Sequence, residues 1–295
     1  MLLITGSTGQ LGSELKKFYK HGETALFTNS QELDISSWQS LQAFFKKHLK
    51  IKTIINCAAY TQVDQAEKEK QLAYQVNFQG TKNLARISKE RKIFLVQVST
   101  DYVFDGKNCR PYRELEKNNP VSVYGKSKLL AEKALLKIAD SGLIIRTSWL
   151  YSEFGKNFVK TVLKLSNEKE KLKIVSDQIG TPTYAYDLAQ IIYQISFSRK
   201  FEELQQKKLK EIYHFCNEGT ASWYDFAHEI IEKVPFSSNF KLKSLEPVLS
   251  KDYPTLAQRP YYSVLDNSKI KVNFNLKIRH WKEALKECLL KLSQS

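Results

Sequence analysis

Tyr124 and Lys128 stand four residues apart in Tyr124-Gly125-Lys126-Ser127-Lys128, a spacing that puts a phenol and an ammonium on one helical face. Pro120, shortly before, suits the start of such a helix. A neighbouring ammonium favours phenolate, so the Tyr124 pKa is expected below its ordinary value of about 10. Such a phenol can give its proton to a carbonyl oxygen that is receiving hydride. A further hydroxyl lies in Val98-Ser99-Thr100-Asp101-Tyr102-Val103-Phe104, at the end of the apolar run Phe94 to Val98. The carboxyl edge of a parallel sheet is where ligands bind, so Thr100, in preference to Ser99, is expected to polarise the same carbonyl. A Tyr/Lys pair alone recurs by chance; the hydroxyl-bearing strand end before it gives it weight.

Gly6-Ser7-Thr8-Gly9-Gln10-Leu11-Gly12 follows the first apolar run and opens an amphipathic stretch. Glycines at these places permit the tight turn, the close approach of a pyrophosphate and the packing of helix on strand. The amides of the following helix face the phosphates. Gly6, Thr8, Gly9, Gln10, Leu11 and Gly12 are therefore expected to bind a dinucleotide. The end of the second run, Phe27-Thr28-Asn29-Ser30, has no acid to hold a ribose 2′-hydroxyl, and Glu32 and Asp34 come later. That leaves room for the 2′-phosphate of NADPH, with NADH still possible. Cys57-Ala58-Ala59-Tyr60 offers mainly small side chains where backbone lies close to the cofactor. Arg259, in a proline-marked loop, could fork two N–H donors onto a diphosphate or simply be an exposed arginine.

These groups need a scaffold, and the chain alternates apolar runs with amphipathic stretches. Strands are expected at Leu2 to Thr5, Thr24 to Phe27, Thr53 to Cys57, Phe94 to Val98 and Gly142 to Arg146, and helices at Leu11 to Lys20, Ser36 to His48, Glu67 to Glu90 and Tyr124 to Ala139. The fold class is α/β, a Rossmann-type doubly wound parallel sheet with a smaller, mainly C-terminal lobe. Residues 1–148 form the expected NADP(H)-binding domain, with its sheet completed by segments within 173–217. Residues 149–295 form mainly the substrate-binding lobe. Lys173 to Val175 and Glu211 to Cys216 read as strands, and Tyr186 to Phe197, Trp223 to Val234 and Trp281 to Leu292 as helices. Arg199 to Lys210 reads as an exposed helix or loop insertion.

The 46 Lys plus Arg exceed the 31 Asp plus Glu by 15 in 295 residues. The excess sits mostly as single residues on helical faces, the pattern of a solvated surface, and no nucleic-acid-binding motif accompanies it. No run of eighteen apolar residues and no signal-peptide pattern occurs, so membrane-spanning and secreted readings give way to a cytoplasmic one. The four cysteines form no CxxC and the histidines lack ligand spacing, so no metal site is expected. Oligomeric state, monomer or homodimer, is left open.

The GxxGxxG spacing resembles the extended short-chain dehydrogenase/reductases. More specifically, Gly9-Gln10-Leu11-Gly12, Ser99 to Gly106, Asn119-Pro120 through Tyr124-Gly125 to Lys128, Arg146-Thr147-Ser148-Trp149, Asp177 to Thr183 and Arg259 to Asp266 resemble the dTDP-4-dehydrorhamnose reductase family, from Leu2 to about residue 290. The resemblance implies that Thr100, Tyr124 and Lys128 are catalytic, with Lys128 also touching the nicotinamide ribose. It implies that Asp34 and Ile35 border the adenine and that Asp101, Tyr102 and Trp149 line a deoxysugar pocket. Thr61 to Glu67, TQVDQAE, is similar to the family's TxVDxAE loop beside the active site, or is a polar helix start. The implied reaction is reduction of the C4 ketone of a dTDP-linked 4-keto-6-deoxysugar to dTDP-L-rhamnose. Reduction of another nucleotide-linked 4-keto-6-deoxysugar stays open, as does a non-catalytic role like that of the regulatory subunit of methionine adenosyltransferase. Some members of the family use a divalent ion at a dimer contact, and no acidic cluster here compels Mg2+.

Overall fold

The computed structural model describes residues 1–19, 25–234 and 240–294. Five apolar runs become the strands β1 (Leu2–Thr5), β2 (Ala25–Thr28), β3 (Thr53–Asn56), β4 (Phe94–Thr100) and β5 (Gly142–Thr147). Lys20 and Thr24, expected ends of a helix and a strand, lie outside the described residues. The helices among these strands are α1 (Gln10–Leu15), α2 (Trp38–Lys47), α3 (Val63–Lys68), α4 (Lys70–Tyr74), α5 (Gly80–Arg91) and α6 (Val123–Ile138).

Beyond β5 come β6 (Leu150–Tyr151), α7 (Phe158–Glu168), β7 (Lys171–Val175), β8 (Ile179–Gly180), β9 (Thr183–Tyr184), α8 (Ala185–Ser196), α9 (Arg199–Gln206) and β10 (Lys210–His214). The chain ends with β11 (Ala221–Ser222), α10 (Trp223–Lys233), β12 (Ser244–Val248), α11 (Ser268–Phe274) and α12 (Trp281–Ser293).

Six strands form one parallel sheet in the order β10-β5-β4-β3-β1-β2. Side chains alternate across it. Leu3, Ile54, Leu95 and Ile144 point to the layer of α2, α5 and α6, whereas Ile4, Ile55, Val96 and Ile145 point to the layer of α1, α8, α9 and α11. Both faces are covered, which is why these strands read as continuous apolar runs. The order reverses between β1 and β3, and that crevice at the strands' carboxyl ends is where doubly wound folds bind ligands. A further core forms from Val159 and Val162 of α7, Phe226 and Ile230 of α10, and Trp281, Leu285 and Leu289 of α12. Within 173–217, the strand β10 joins the sheet beside β5, while β7 pairs with β12 away from it.

Two expectations are corrected. The helix expected over Glu67 to Glu90 is interrupted at Glu69 and then widens into a π-helical turn, Gln75–Gln79. The Glu69 carboxylate accepts from the Tyr60 hydroxyl and from Gln65, and the π turn aims the buried Asn77 at neighbouring segments. Arg199 to Lys210 contains the expected helix, but that helix is not exposed on all sides. Its helix buries Phe201 and Leu204 under the sheet, and only the opposite face carries the charges.

Candidate active site

The glycine loop sits at the strand-order reversal because its glycines allow no side chain there. Gly6 has φ +66°, and a Cβ on it would lie 2.6 Å from the Ala58 nitrogen. A Cβ on Gly12 would lie 2.3 Å from the Gly6 carbonyl oxygen, so helix and loop pack backbone to backbone. Gly9 is different: a Cβ on it would meet only the Gly6 oxygen, at 3.3 Å, so its outer side is open to an incoming group. The first amides of α1 follow, in a turn where helical amides have no carbonyl ahead of them.

From this loop a cleft of about 690 Å³ runs along the carboxyl edge of the sheet. It brings together Gly6, Gly9, Gln10, Leu11, Gly12, Cys57, Ala59, Thr61, Thr100, Asp101, Tyr102, Tyr124, Lys128 and Trp149. Thr8, Asp34, Ile35, Ala58, Tyr60 and Arg259 are not among its walls. Thr8 and Asp34 are exposed, the latter accepting from the amide and hydroxyl of Ser36. Ile35 is buried against Gly80. The Ala58 amide donates to Asn56, and Tyr60 packs against the small cluster of Ala66, Ala73 and Val123. Arg259, considered above for a diphosphate, forks onto Asp64 with N–O distances of 3.1 and 2.5 Å.

α6 is started by Ser122, whose hydroxyl accepts from the Gly125 amide at 3.1 Å, and this puts Tyr124 in the first turn and Lys128 one turn on. The Thr100 hydroxyl, in the same cleft as Tyr124, donates to Asp101 at 3.0 Å and accepts from the Tyr102 amide at 3.2 Å. The Lys128 ammonium donates to the Val98 carbonyl at 2.7 Å. The expected lowering of the Tyr124 pKa is corrected here. Burial raises it to about 12, outweighing the opposing influence of Thr100. Burial also lowers Lys128 to about 8, against the pull of Glu132. Desolvation thus leaves a neutral phenol and, one helical turn on in the same cleft, an amine that holds its proton only below mildly alkaline pH. Asp101 is buried as well and its pKa rises to about 6.

The far wall of the cleft is aromatic. Trp149 lies flat on Trp223, with ring centroids 3.5 Å apart, and the pair is seated against Gly180, where a Cβ would come within 2.5 Å of Trp149. Trp149 itself has φ +45°, an uncommon backbone state for a large residue, which the stack and Gly180 hold in place.

The family model of the RmlD substrate binding domain matches residues 1–294. Over 97% of this chain and 97% of the relative, the sequence is 40% identical to the dTDP-4-dehydrorhamnose reductase of Aggregatibacter actinomycetemcomitans. The chain belongs to the dTDP-4-dehydrorhamnose reductase family. Its fold superposes on the reductase of Bacillus anthracis str. Ames in complex with NADP at a TM-score of 0.87, with 36% identity over 98% of both chains. The Clostridium acetobutylicum RfbD ortholog gives a TM-score of 0.89 and 38% identity, covering 100% of this chain and 99% of that one.

In this reductase, several positioning residues escaped the sequence reading. Glu132, one turn beyond Lys128, accepts from Ser99 at 2.5 Å and forms a two-pronged ion pair with Arg146 at 2.9 and 2.7 Å, all of it buried. Arg146 continues to His214 of β10, so α6, β4, β5 and β10 are tied together below the cleft. Asn77 accepts from the Tyr60 amide and donates to Ser127, joining the loop after β3 to α6. In the TQVDQAE segment, Glu67 accepts from the Val123 amide at 2.8 Å and Asp64 holds Arg259. Trp223 gave no signal beyond its place after the capping Ser222. Among the described residues no group of three or more His, Cys, Asp or Glu could hold a metal ion, and no helix is long and apolar enough to cross a membrane.

Proposed function

We propose that the protein reduces the C4 ketone of dTDP-4-dehydro-L-rhamnose with NADPH, giving dTDP-L-rhamnose. The observation that carries the reading is the single cleft in which a glycine loop open at Gly9 meets Thr100, Tyr124 and Lys128. Gly6, Gly9, Gln10, Leu11 and Gly12 would cradle the pyrophosphate, Cys57 and Ala59 would lie along the dinucleotide, and Lys128 would hold the nicotinamide ribose. NADPH, when bound, supplies the hydride. Residues 1–148 with β10 form the dinucleotide side of the cleft, and 149–295 contribute mainly the sugar side, including the Trp149 and Trp223 platform.

Tyr124 is the proton donor. Like any phenol it is protonated at neutral pH, which reduction requires, and burial raises its pKa further; Thr100 is placed to stabilise the oxygen on which negative charge develops. When the C4 oxygen takes the phenolic proton, the ammonium of Lys128 favours the phenolate left behind. Asp101, Tyr102, Thr61 and Trp149 surround the space for the deoxysugar.

The test is NADPH oxidation with dTDP-4-dehydro-L-rhamnose and with other nucleotide-linked 4-keto-6-deoxysugars, and identification of the product by NMR. Preferred turnover of the first, with dTDP-L-rhamnose as product, is expected; preferred turnover of another sugar overturns the substrate assignment. Tyr124→Phe is expected to lose at least about 100-fold in kcat, as befits a general acid.

A further inference from the structure

The end of β2 has no acid in its own sequence, yet the fold brings one to it. Asn29, the residue after β2, accepts the amides of Gln31 and Glu32 on its side-chain oxygen at 2.8 and 3.1 Å, and its carbonyl accepts from Leu33 at 2.9 Å. This tight turn carries the Glu32 carboxylate back onto the Asn29 amide, 2.9 Å away. The glycine loop is fixed to the same rim, because the Ser7 amide donates to the Thr28 carbonyl at 3.0 Å. A carboxylate on that rim accepts the 2′-hydroxyl of an adenosine ribose and repels a 2′-phosphate.

We infer that Glu32 is a specificity-determining residue that sets how strongly the protein prefers NADPH over NADH. The inference rests on the dinucleotide reading above. Glu32 is exposed, so its carboxylate can swing away and release the Asn29 amide to a phosphate oxygen. That movement lets NADPH bind, and the charge then taxes it. The ammonium of Lys16 lies over the Phe27 ring, 5.8 Å from its centroid, and offers this edge a cation in partial compensation. Asp34 is turned to Ser36. A carboxylate and a phosphate carrying nearly two charges, a few ångström apart at a solvated rim, cost the phosphate about tenfold in affinity.

Calorimetric titration of the intact protein with NADPH and with NADH tests this without turnover. Glu32→Gln keeps an acceptor for the Asn29 amide and removes the charge; Glu32→Ala removes both. In each variant the affinity ratio of NADPH to NADH is expected to rise about tenfold, with an unchanged melting temperature, and added salt is expected to narrow the gap from the wild type. A ratio within about twofold of the wild type in both variants overturns the role of Glu32 and leaves the cofactor reading standing. If the wild type binds neither nucleotide, both readings fall.

Discussion

Asp101 and Lys128 face the same cleft from buried positions, and their proton equilibria move in opposite directions. Burial lifts the Asp101 carboxyl to about 6 and depresses the Lys128 ammonium to about 8. Both are charged only between these values, so a bell-shaped pH profile of kcat/KM is expected, rising through about 6 and falling through about 8. Asp101→Asn should remove the acid limb and keep the alkaline one. A wild-type profile without a fall above the Lys128 value would show that its charge is not used. The types of Thr100, Tyr124 and Lys128 were legible in the sequence because their order and spacing are local. The direction of the Tyr124 shift was not, since it depends on burial by residues far away in the chain.

At the scale of elements, the seat of α6 decides whether Tyr124 and Lys128 meet Thr100. Glu132 binds Ser99 of β4 and Arg146 of β5, and both members of the ion pair are about 1–2% exposed. Glu132→Gln leaves a buried guanidinium without its counter-charge, and a loss of about 3–5 kcal/mol of stability by urea unfolding is expected. A loss below about 1 kcal/mol, the range of surface ion pairs, would contradict the buried role. Gly12→Ala forces a Cβ toward the Gly6 oxygen, at 2.3 Å in the present backbone. It is expected to cost about 1–3 kcal/mol and to abolish NADPH binding in a calorimetric titration. The strands and α6 were legible because buried parallel strands and amphipathic helices leave periodic apolar patterns. Glu132 was not, because a glutamate within Leu129 to Leu136 reads as an ordinary helix-surface charge. The π turn at Asn77 was hidden for a related reason: it shifts the register of the helix without interrupting its helix-forming residues.

The whole molecule carries its polar network through the sheet, and this makes its stability answer to acid. His214 is fully buried; its Nδ1 faces the Tyr112 carbonyl at 3.0 Å and its other nitrogen faces Arg146 at 3.3 Å. Burial and the adjacent guanidinium push its pKa down to about 3. An unfolded histidine takes up a proton near its ordinary value of about 6.5. Between these two values the unfolded chain holds the extra proton, so the contribution of His214 is complete at neutral pH and is lost as pH falls. Glu153, lowered to about 2 by its hydrogen bonds with Lys17, loses its contribution at still lower pH, whereas Asp101, raised to about 6, gains stability on acidification. The wild-type pH dependence mixes these opposing signs, and a difference between two proteins isolates one of them. His214→Gln is expected to be less stable than the wild type at neutral pH, through lost ring packing on Phe104. Below about pH 6.5 the gap between the two should close at about 1.4 kcal/mol per pH unit, since only the wild type carries this linkage. Urea unfolding of both proteins at neutral and acid pH measures that gap, and a gap that stays constant would mean that His214 titrates alike in the folded and unfolded chain.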